Sequence, residues 1–406
     1  MLQNYEEKGK KCDDNGVVNG MVTYDGSWMT KGHKSHIGVG CVVDSDSGFI
    51  LDHEVLSNDC VQCTKLESKK RKMTMGKYKA LKTEHKPKCQ KNFNGKSGAM
   101  EAEGAVRMWQ RSVQKNKMRY TTFIGDGDSS AYKSVTGLNN GKGPYDGVEI
   151  TKEECVNHVS KRFGTRLRKL KDTEVEEVPV KSKPGTTRKK KMLGGKSKLT
   201  DKILEMLPYY YGQAIRRQSS ATVEDLRKDI LATFYHCSST DEDPRHDSCP
   251  PGSESWCFYQ RAISKNETPP SHKNMKVKFT LDPPERSKVF KVYFEMTKKE
   301  LLLKCMLGKT QNVNESIHSK IWHKLQKTKY YSLNTVKYDV ALTVLEHNFG
   351  YDNVNIPCEL GFRPTVHGIQ HLQSQTKQRT ASSTKKKPRK KRSASAPDSD
   401  YGAGEF

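Results

Sequence analysis

Three strand-forming runs near the start of the chain constrain the fold more than any other feature. Residues 21–24 favour an extended strand, and the pair Asp25 and Gly26 that follows is typical of a turn. The apolar run 37–43 is separated from the extended pattern of 49–56 by the turn-forming sequence Asp-Ser-Asp-Ser-Gly. This spacing predicts a hairpin and, with the first run, three neighbouring antiparallel strands. Asp25 is then expected at a strand tip, where it either holds a metal ion or simply begins a turn.

A second strand-forming run also ends in acidic residues. Residues 120–124 are followed by Gly-Asp-Gly-Asp, and residues 129–135 have the pattern of a short helix with a serine cap. Asp126 comes directly after the strand, whereas Asp128 is better placed near the helix N-terminus. We therefore favour Asp126 as the candidate metal ligand.

A helix late in the chain supplies a third carboxylate. Ile317, Ile321 and Trp322 set a helical period, and Glu315 lies in the first turn of that helix. A carboxylate at this position also suits the helix dipole, which is the simpler explanation for it. The three residues Asp25, Asp126 and Glu315 follow the order strand, strand, helix of a ribonuclease H-like site. Phosphodiester chemistry of that kind uses two divalent ions about 4 Å apart, and magnesium prefers carboxylate ligands.

Cysteine and histidine pairs predict a zinc site early in the chain. The sequence contains 11 cysteines, an odd number that does not suggest a disulfide framework. Two pairs, Cys60 with Cys63 and His85 with Cys89, lie in the loop 57–98 and flank a polar stretch with too few apolar residues to fold alone. A closed tetrahedral zinc site requires such an arrangement, and free surface thiols are the alternative.

A second zinc site is predicted from two distant pairs with mirrored spacing. Cys155 is followed three positions later by His158, and His246 is followed three positions later by Cys249. One zinc ion joining both pairs would clamp the segment between them to the core, and we favour that arrangement. The sequence leaves open a local site, made from His246 and Cys249 with Cys257 and with either Cys237 or His236.

The charge of the chain favours a polyanionic partner. Its formal net charge is +25 and its isoelectric point is about 9.5, so double-stranded DNA is the first candidate. The candidate DNA contacts are basic residues in the zinc loop and after Cys155: Lys69, Lys70, Arg71, Lys72, Lys161, Arg162 and Arg166. A solvated helix face is the alternative explanation for such charge.

The basic cluster 385–392 predicts nuclear import, and nonspecific DNA binding is the alternative explanation. No run approaches the roughly 20 apolar residues of a membrane span, and the N-terminus has no apolar signal core. We therefore expect a soluble protein of the nucleus that contacts the import machinery.

The chain divides by composition. A mean hydropathy of −0.85 predicts exposed loops and a disordered tail. Helical patterns cover residues 199–207, 209–217, 223–235 and 333–348. The predicted segments are an irregular N-terminus (1–18), the first part of the core (19–171), a flexible basic linker (172–198), a helical insertion (199–297), the last core helices (298–351) and a disordered basic tail (352–406).

Four motifs in this order resemble the Mutator-like transposases of the Asp-Asp-Glu class. They are Asp25-Gly-Ser-Trp, Gly-Asp126-Gly-Asp, Cys155-x2-His158 and Asn312-x2-Glu315-Ser316, and the resemblance runs from about residue 19 to 351. It implies an α/β fold with a ribonuclease H-like mixed sheet and helices, interrupted by the zinc-bearing loop and a mainly helical insertion. It also implies a nuclear enzyme of DNA recombination, dependent on Mg²⁺ or Mn²⁺, that cleaves DNA and transfers strands, and that can act as a homo-oligomer on DNA.

A second interpretation keeps the fold and the zinc but not the catalysis. No N-terminal DNA-binding module precedes Asp25 in this sequence. On that interpretation the chain is a truncated or domesticated copy that binds DNA or chromatin without turnover.

Overall fold

A computed structural model describes residues 12–30, 35–127, 129–179, 187–217, 222–350 and 365–384. The chain forms two compact units. The first contains Met1–Phe123, Asp128–Thr151 and Gln311–Phe406, and the second contains Ile124–Gly127 and Lys152–Thr310. The basic cluster 385–392 and Asp128 lie outside the described residues.

The strands and helices are numbered here in chain order. The strands are β1 (Val18–Trp28), β2 (Ile37–Asp44), β3 (Ile50–Ser57), β4 (Met118–Gly125), β5 (Thr151–Glu154), β6 (Val175–Pro179) and β7 (Thr187–Lys191). The helices are α1 (Val61–Lys69), α2 (Met75–His85), α3 (Met100–Asn116), α4 (Ser130–Thr136), α5 (Val156–Thr173), α6 (Asp201–Arg217), α7 (Val223–Cys237), α8 (Phe258–Ser264), α9 (Pro283–Met296), α10 (Lys299–Leu303), α11 (Asn312–Lys324), α12 (Leu333–Phe349) and α13 (Val366–Thr384). Short helical turns lie at Lys70–Lys72, Lys86–Lys88, Ser97–Ala99, Leu138–Gly141 and His272–Asn274.

A mixed sheet of five strands has the order β3-β2-β1-β4-β5, and its strands β1, β2 and β3 lie in the first unit. Strands β1, β2 and β3 pair antiparallel, which confirms the predicted hairpin and the three neighbouring strands. The turn between β2 and β3 follows the expected chemistry, because the carboxylate of Asp44 accepts from the Ser47 amide at 2.8 Å and Gly48 has a φ of 76°.

Asp25 does not lie at a strand tip, contrary to the sequence prediction. It lies inside β1, where it pairs with Cys41 of β2, and β1 continues to Trp28. Gly26 serves close packing here rather than a turn, since a Cβ atom at that position would lie 2.9 Å from Cγ of Glu101 on α3. The indole of Trp28 donates to the Ser97 carbonyl at 3.0 Å and holds the strand end in place.

Helix α3 covers one face of the sheet, as its apolar spacing predicts. Its Met108 and Trp109 are fully buried, and Trp109 stacks on Phe123 of β4 with ring centroids 5.1 Å apart. Tyr24 of β1 points to the same face and packs edge-on against Trp109 at 5.9 Å. Thr23 and Asp25, its neighbours on β1, therefore point to the opposite face.

Helices α11 and α12 cover that opposite face. Ile317 and Ile321 of α11 and Val336 of α12 join a buried cluster with Val39 and Val43 of β2. Both faces of the sheet are thus closed by helices, and α11 lies directly over β1 and β2.

The second unit is built mainly from helices. The ring of Phe163 on α5 stacks on Tyr211 of α6 at 4.9 Å, and its edge meets Tyr293 of α9 at 4.7 Å. Because Phe163 and Leu167 bury their side chains in this core, α5 groups with the segment predicted as an insertion rather than with the sheet.

Helix α6 continues through Pro208, where the sequence suggests a break between two helices. The proline ring packs against Gly164 of α5, at which a Cβ atom would lie only 2.7 Å from Cγ of Pro208. A glycine on the facing helix therefore makes room for the proline.

The predicted flexible linker contains an exposed hairpin. Strands β6 and β7 pair antiparallel, with Glu176 opposite Lys190 and Glu177 opposite Lys189. Opposite charges across the strands favour this pairing over like charges.

Helix α13 falls in the segment predicted to be disordered. Ile369 and Leu372 within it are partly buried. None of the helices in the described ranges has the length and apolar character that crossing a membrane requires.

Candidate metal centres and carboxylate positions

The four predicted zinc ligands of the loop meet at one point. Cys60 precedes α1 and Cys63 lies in its first turn, while His85 ends α2 and Cys89 follows the next helical turn. Their donor atoms all lie within 4.8 Å of one another, with Cys60 Sγ 3.2 Å from His85 Nε2 and Cys63 Sγ 3.4 Å from Cys89 Sγ. We call this set the loop cluster.

The loop cluster has the dimensions of a zinc site. A tetrahedron of sulfur and nitrogen ligands around zinc has edges of about 3.3 to 3.8 Å, calculated from the usual zinc–ligand distances. Burial disfavours the thiolate of Cys60, but hydrogen bonds from the amides of Cys63 and Gln90 and from His85 outweigh it and lower its pKa to about 6. A thiolate at neutral pH is the form that binds zinc, so this group could hold zinc.

Apolar burial contributes little to holding the loop together. Helix α1 buries none of its side chains, and α2 buries only Tyr78 and His85. The basic residues that the sequence singled out in this loop, Lys69, Lys70, Arg71 and Lys72, are all exposed. Lys70 also lies over the ring of Tyr78, with its Nζ 5.1 Å from the centroid.

A second cluster forms in the second unit from the local set that the sequence left open. His236 on α7, His246, Cys249 and Cys257 place one donor atom each within 4.8 Å of the others. Cys257 Sγ lies 3.4 Å from His246 Nδ1, and Cys249 Sγ lies 3.8 Å from the same atom and 3.9 Å from His236 Nδ1. We call this set the insertion cluster, and its dimensions also fit zinc.

The arrangement favoured from the sequence, with Cys155 and His158 sharing a metal with His246 and Cys249, is not the one that the structure forms. His158 instead pairs with Asp126, its Nδ1 lying 2.7 Å from Oδ1. Cys155 is fully buried at the start of α5, and its amide donates to the Gly125 carbonyl at 3.1 Å. Mirrored spacing did not identify partners, because His236 and Cys257 already complete a local set around His246 and Cys249.

Asp25 lies where α11 docks on β1. Three side chains of α11 make this contact: Gln311, at its N-cap, donates to the Tyr24 carbonyl at 2.6 Å, Asn314 hydrogen-bonds Thr23 and donates to the Cys41 carbonyl at 2.9 Å, and His318 Nδ1 lies 3.4 Å from Oδ2 of Asp25. These contacts fix the first two turns of α11 against the middle of β1.

Glu315 lies on the same part of α11. It precedes His318 by three positions, so the two residues are neighbours on the helix surface, about 4.5 Å apart along the axis. Glu315 is exposed, whereas His318 is buried. The structure therefore places Asp25 and the turn that carries Glu315 side by side in the first unit.

Asp126 belongs to the second unit and follows β4 directly, as predicted. Burial raises the pKa of its carboxyl group, but the hydrogen bond to His158 and the charges of His158 and Arg162 outweigh this and lower it. Asp126 is therefore held ionised, the form that binds a divalent cation.

The predicted DNA contacts on α5 differ in their exposure to solvent. Lys161 and Arg166 are exposed, whereas Arg162 donates to Oε2 of the buried Glu154 at 2.5 Å. Arg162 is thus engaged in a structural ion pair in addition to facing Asp126.

Sequence reasoning did not identify His318 as a neighbour of Asp25. Its position three residues after Glu315 on a predicted helix was the only signal. That position indicates a contact with Asp25 only once the helix is known to pack on β1.

Comparison with known protein families gives a match over more than half of the chain. A family model described as Mutator-like transposase matches residues 1–257. No curated protein and no solved structure matches the chain.

Proposed function

Because the chain belongs to the Mutator-like transposase family, we propose that it cleaves DNA and transfers strands through a magnesium site made by Asp25, Asp126 and Glu315. The family suggests a DNA-cleaving enzyme. We propose, beyond what the family suggests, the metal dependence, the three ligands and a ribonuclease H-like fold.

The docking of α11 on β1 carries this proposal. Three side chains contact β1 between Thr23 and Asp25, namely Gln311, Asn314 and His318, and Asn314 also contacts β2. Glu315 lies among these residues on α11. A Glu in the first turn of a helix does not need to lie beside a strand if its only role is to complement the helix dipole. A cation shared by two carboxylates requires them to lie side by side.

The order of the strands is the reason for including Asp126 in the proposed site. It follows β4, and β4 is the neighbour of β1 in the sheet. Its pairing with His158 engages one carboxylate oxygen, and we propose that the other binds the cation. Two divalent ions bound by these carboxylates would activate the attacking oxygen and stabilise the leaving oxygen of a phosphodiester.

The charge supports DNA as the substrate. The net charge of +25 and the exposed side chains of Lys69, Arg71, Lys161 and Arg166 suit a phosphate backbone. We further propose that the loop and insertion clusters each bind a structural zinc ion, and that the cluster 385–392 directs the protein to the nucleus.

The test is cleavage of plasmid and oligonucleotide DNA with Mg²⁺ or Mn²⁺. The unaltered chain should nick DNA, and Asp25→Asn, Asp126→Asn and Glu315→Gln should each abolish nicking while binding to DNA is retained. Asp146→Asn is the matched control, because Asp146 is exposed and is not one of the three proposed ligands.

Equal nicking by the unaltered chain and all three variants would remove the proposed site. Absence of nicking by the unaltered chain at every metal concentration, with DNA binding intact, would instead favour a zinc-containing DNA- or chromatin-binding protein without turnover.

A further inference from the structure

Behind the insertion cluster lies a chain of side chains that no part of the proposed function uses. His272 is 4% exposed and Asp241 lies next to it at the surface, and neither belongs to the four candidate zinc ligands. His272 Nε2 lies 2.8 Å from His246 Nε2, and His272 Nδ1 lies 2.7 Å from Oδ1 of Asp241. The order is therefore Asp241, His272, His246 and then the two thiols.

The chemistry of this chain determines where each proton lies. An ionised carboxylate can only accept hydrogen bonds, so His272 donates from Nδ1 to Asp241. The neutral form of the ring then offers Nε2 as an acceptor. His246 must then donate from Nε2. Its Nδ1 is left with a lone pair directed at Cys257 Sγ and Cys249 Sγ, 3.4 and 3.8 Å away.

We infer that Asp241 and His272 are positioning residues that hold His246 in the tautomer that binds zinc through Nδ1. This inference rests on the proposed zinc site in the insertion cluster. Histidines that bind metals commonly donate their second ring N–H to such a partner, which fixes the tautomer and strengthens the ligand.

The surroundings fix the geometry as well as the protons. Tyr259 stacks on the His246 ring with centroids 4.5 Å apart and an interplanar angle of 16°, so the ring plane is set. The backbone amide and the ring of His272 both donate to Oδ1 of Asp241, each at 2.7 Å, and Ser271 donates to Oδ2 at 2.6 Å. Asp241 is thus locked on both oxygens and cannot rotate away from His272.

The test measures zinc affinity of the full chain by competition with a chromophoric chelator. The release phase that disappears in Cys257→Ser identifies the insertion cluster. His272→Phe keeps a flat ring but removes the acceptor for His246, and it should weaken this phase about 10- to 100-fold. His272→Gln, whose amide oxygen can accept from His246, should retain most of the affinity.

Two further variants separate the role of Asp241 from general surface charge. Asp241→Ala should weaken the same phase, and Asp243→Ala should not, because Asp243 is exposed and pairs with Arg245 rather than with His272. The phase assigned to the loop cluster should be unchanged in all of them.

A nitrogen-15 histidine spectrum of the unaltered zinc-loaded protein tests the tautomer directly, and a variant is needed only to assign the signal. It should show His246 protonated on Nε2, with the signal assigned by its loss in His246→Gln. A proton on Nδ1, or equal affinity of His272→Phe and the unaltered chain, would overturn the inference while leaving the zinc site standing. An unaltered chain with no zinc in this cluster would overturn the site and the inference together.

Discussion

Nδ1 of His158 lies 2.7 Å from the Oδ1 atom of Asp126. The histidine stands on the first turn of α5, and the aspartate follows β4, so the contact joins the start of a helix to the end of a strand. It leaves Asp126 ionised and fixes the direction of its carboxylate. Both properties matter for a residue that we propose as a magnesium ligand.

The first prediction follows from that contact. His158→Ala should lower the rate of DNA nicking about 10- to 100-fold and raise the metal concentration needed for half-maximal activity, because partners of a metal ligand orient it. DNA binding should persist. His36→Ala is the control, since His36 lies on an exposed edge with Asn58 as its partner at 3.1 Å. An unchanged metal dependence in His158→Ala would show that the contact is structural only.

The second prediction concerns zinc content. Elemental analysis of the purified chain should find two zinc ions, one for each cluster. Cys60→Ser and Cys257→Ser should each lower the content to one. Cys12→Ser should leave it at two, because Cys12 is an exposed free thiol outside both clusters. Two zinc ions in Cys60→Ser would contradict the loop cluster as a metal site.

The third prediction concerns the acid stability of the sheet. The side chain of Asp52 on β3 is fully buried, and Arg111 of α3 binds both of its oxygens at 2.7 and 3.0 Å, while Lys115 lies 2.5 Å from one of them. Burial alone would raise the pKa of Asp52, but these two partners outweigh it and lower the pKa. Asp52→Asn should reduce the free energy of unfolding by about 2 to 4 kcal/mol at neutral pH.

The pH dependence has a definite sign. Because the pKa of Asp52 in the folded state is below its value in the unfolded state, the stabilisation is complete above about pH 4 and is lost as the pH falls through the folded-state pKa. Asp52→Asn should therefore flatten the acid limb of the stability curve measured by urea unfolding. Glu103→Gln is the control, since Glu103 makes only a surface pair with Arg107 that contributes about 0.2 to 1 kcal/mol. An equal acid limb in both variants would contradict the assignment.

The fourth prediction concerns packing of α5 on α6. Gly164→Ala places a methyl group against the rigid ring of Pro208, within 2.7 Å of Cγ, and should destabilise the chain by about 1 to 3 kcal/mol. Gly76→Ala, on the exposed side of α2 with no atom within 4 Å, should be neutral or stabilise it by up to about 1 kcal/mol. Thermal unfolding of both variants is the measurement, and equal effects would contradict the packing.

Local chemistry made the β2–β3 hairpin, helices α3 and α4 and the loop cluster predictable. The β2–β3 turn, the serine cap of α4 and the apolar face of α3 depend on residues close in sequence. The pairs in the loop cluster surround a segment that lacks apolar residues, and this local pattern is enough to predict a zinc site.

Long-range contacts explain what the sequence did not reveal. Asp25 and Gly26 have the composition of a turn, and only the approach of α3 shows why the glycine lies inside a strand. The partners of Cys249 could not be chosen by spacing, because His236 and His158 are equally plausible ligands until α7 is folded. The pairing of Asp25 with His318 spans almost the whole chain and has no local signature.

The two helices of the loop cluster, α1 and α2, bury few side chains, and this affects how the chain responds to loss of the metal. A segment without an apolar core has few buried contacts to keep it ordered, so we expect it to open separately from the sheet. Removing its metal should therefore release the four basic residues Lys69–Lys72 from a fixed array while β1, β2 and β3 stay protected from hydrogen exchange. The availability of the metal would then control how these four positive charges are arranged, and so how strongly the loop binds a polyanion, without unfolding the protein.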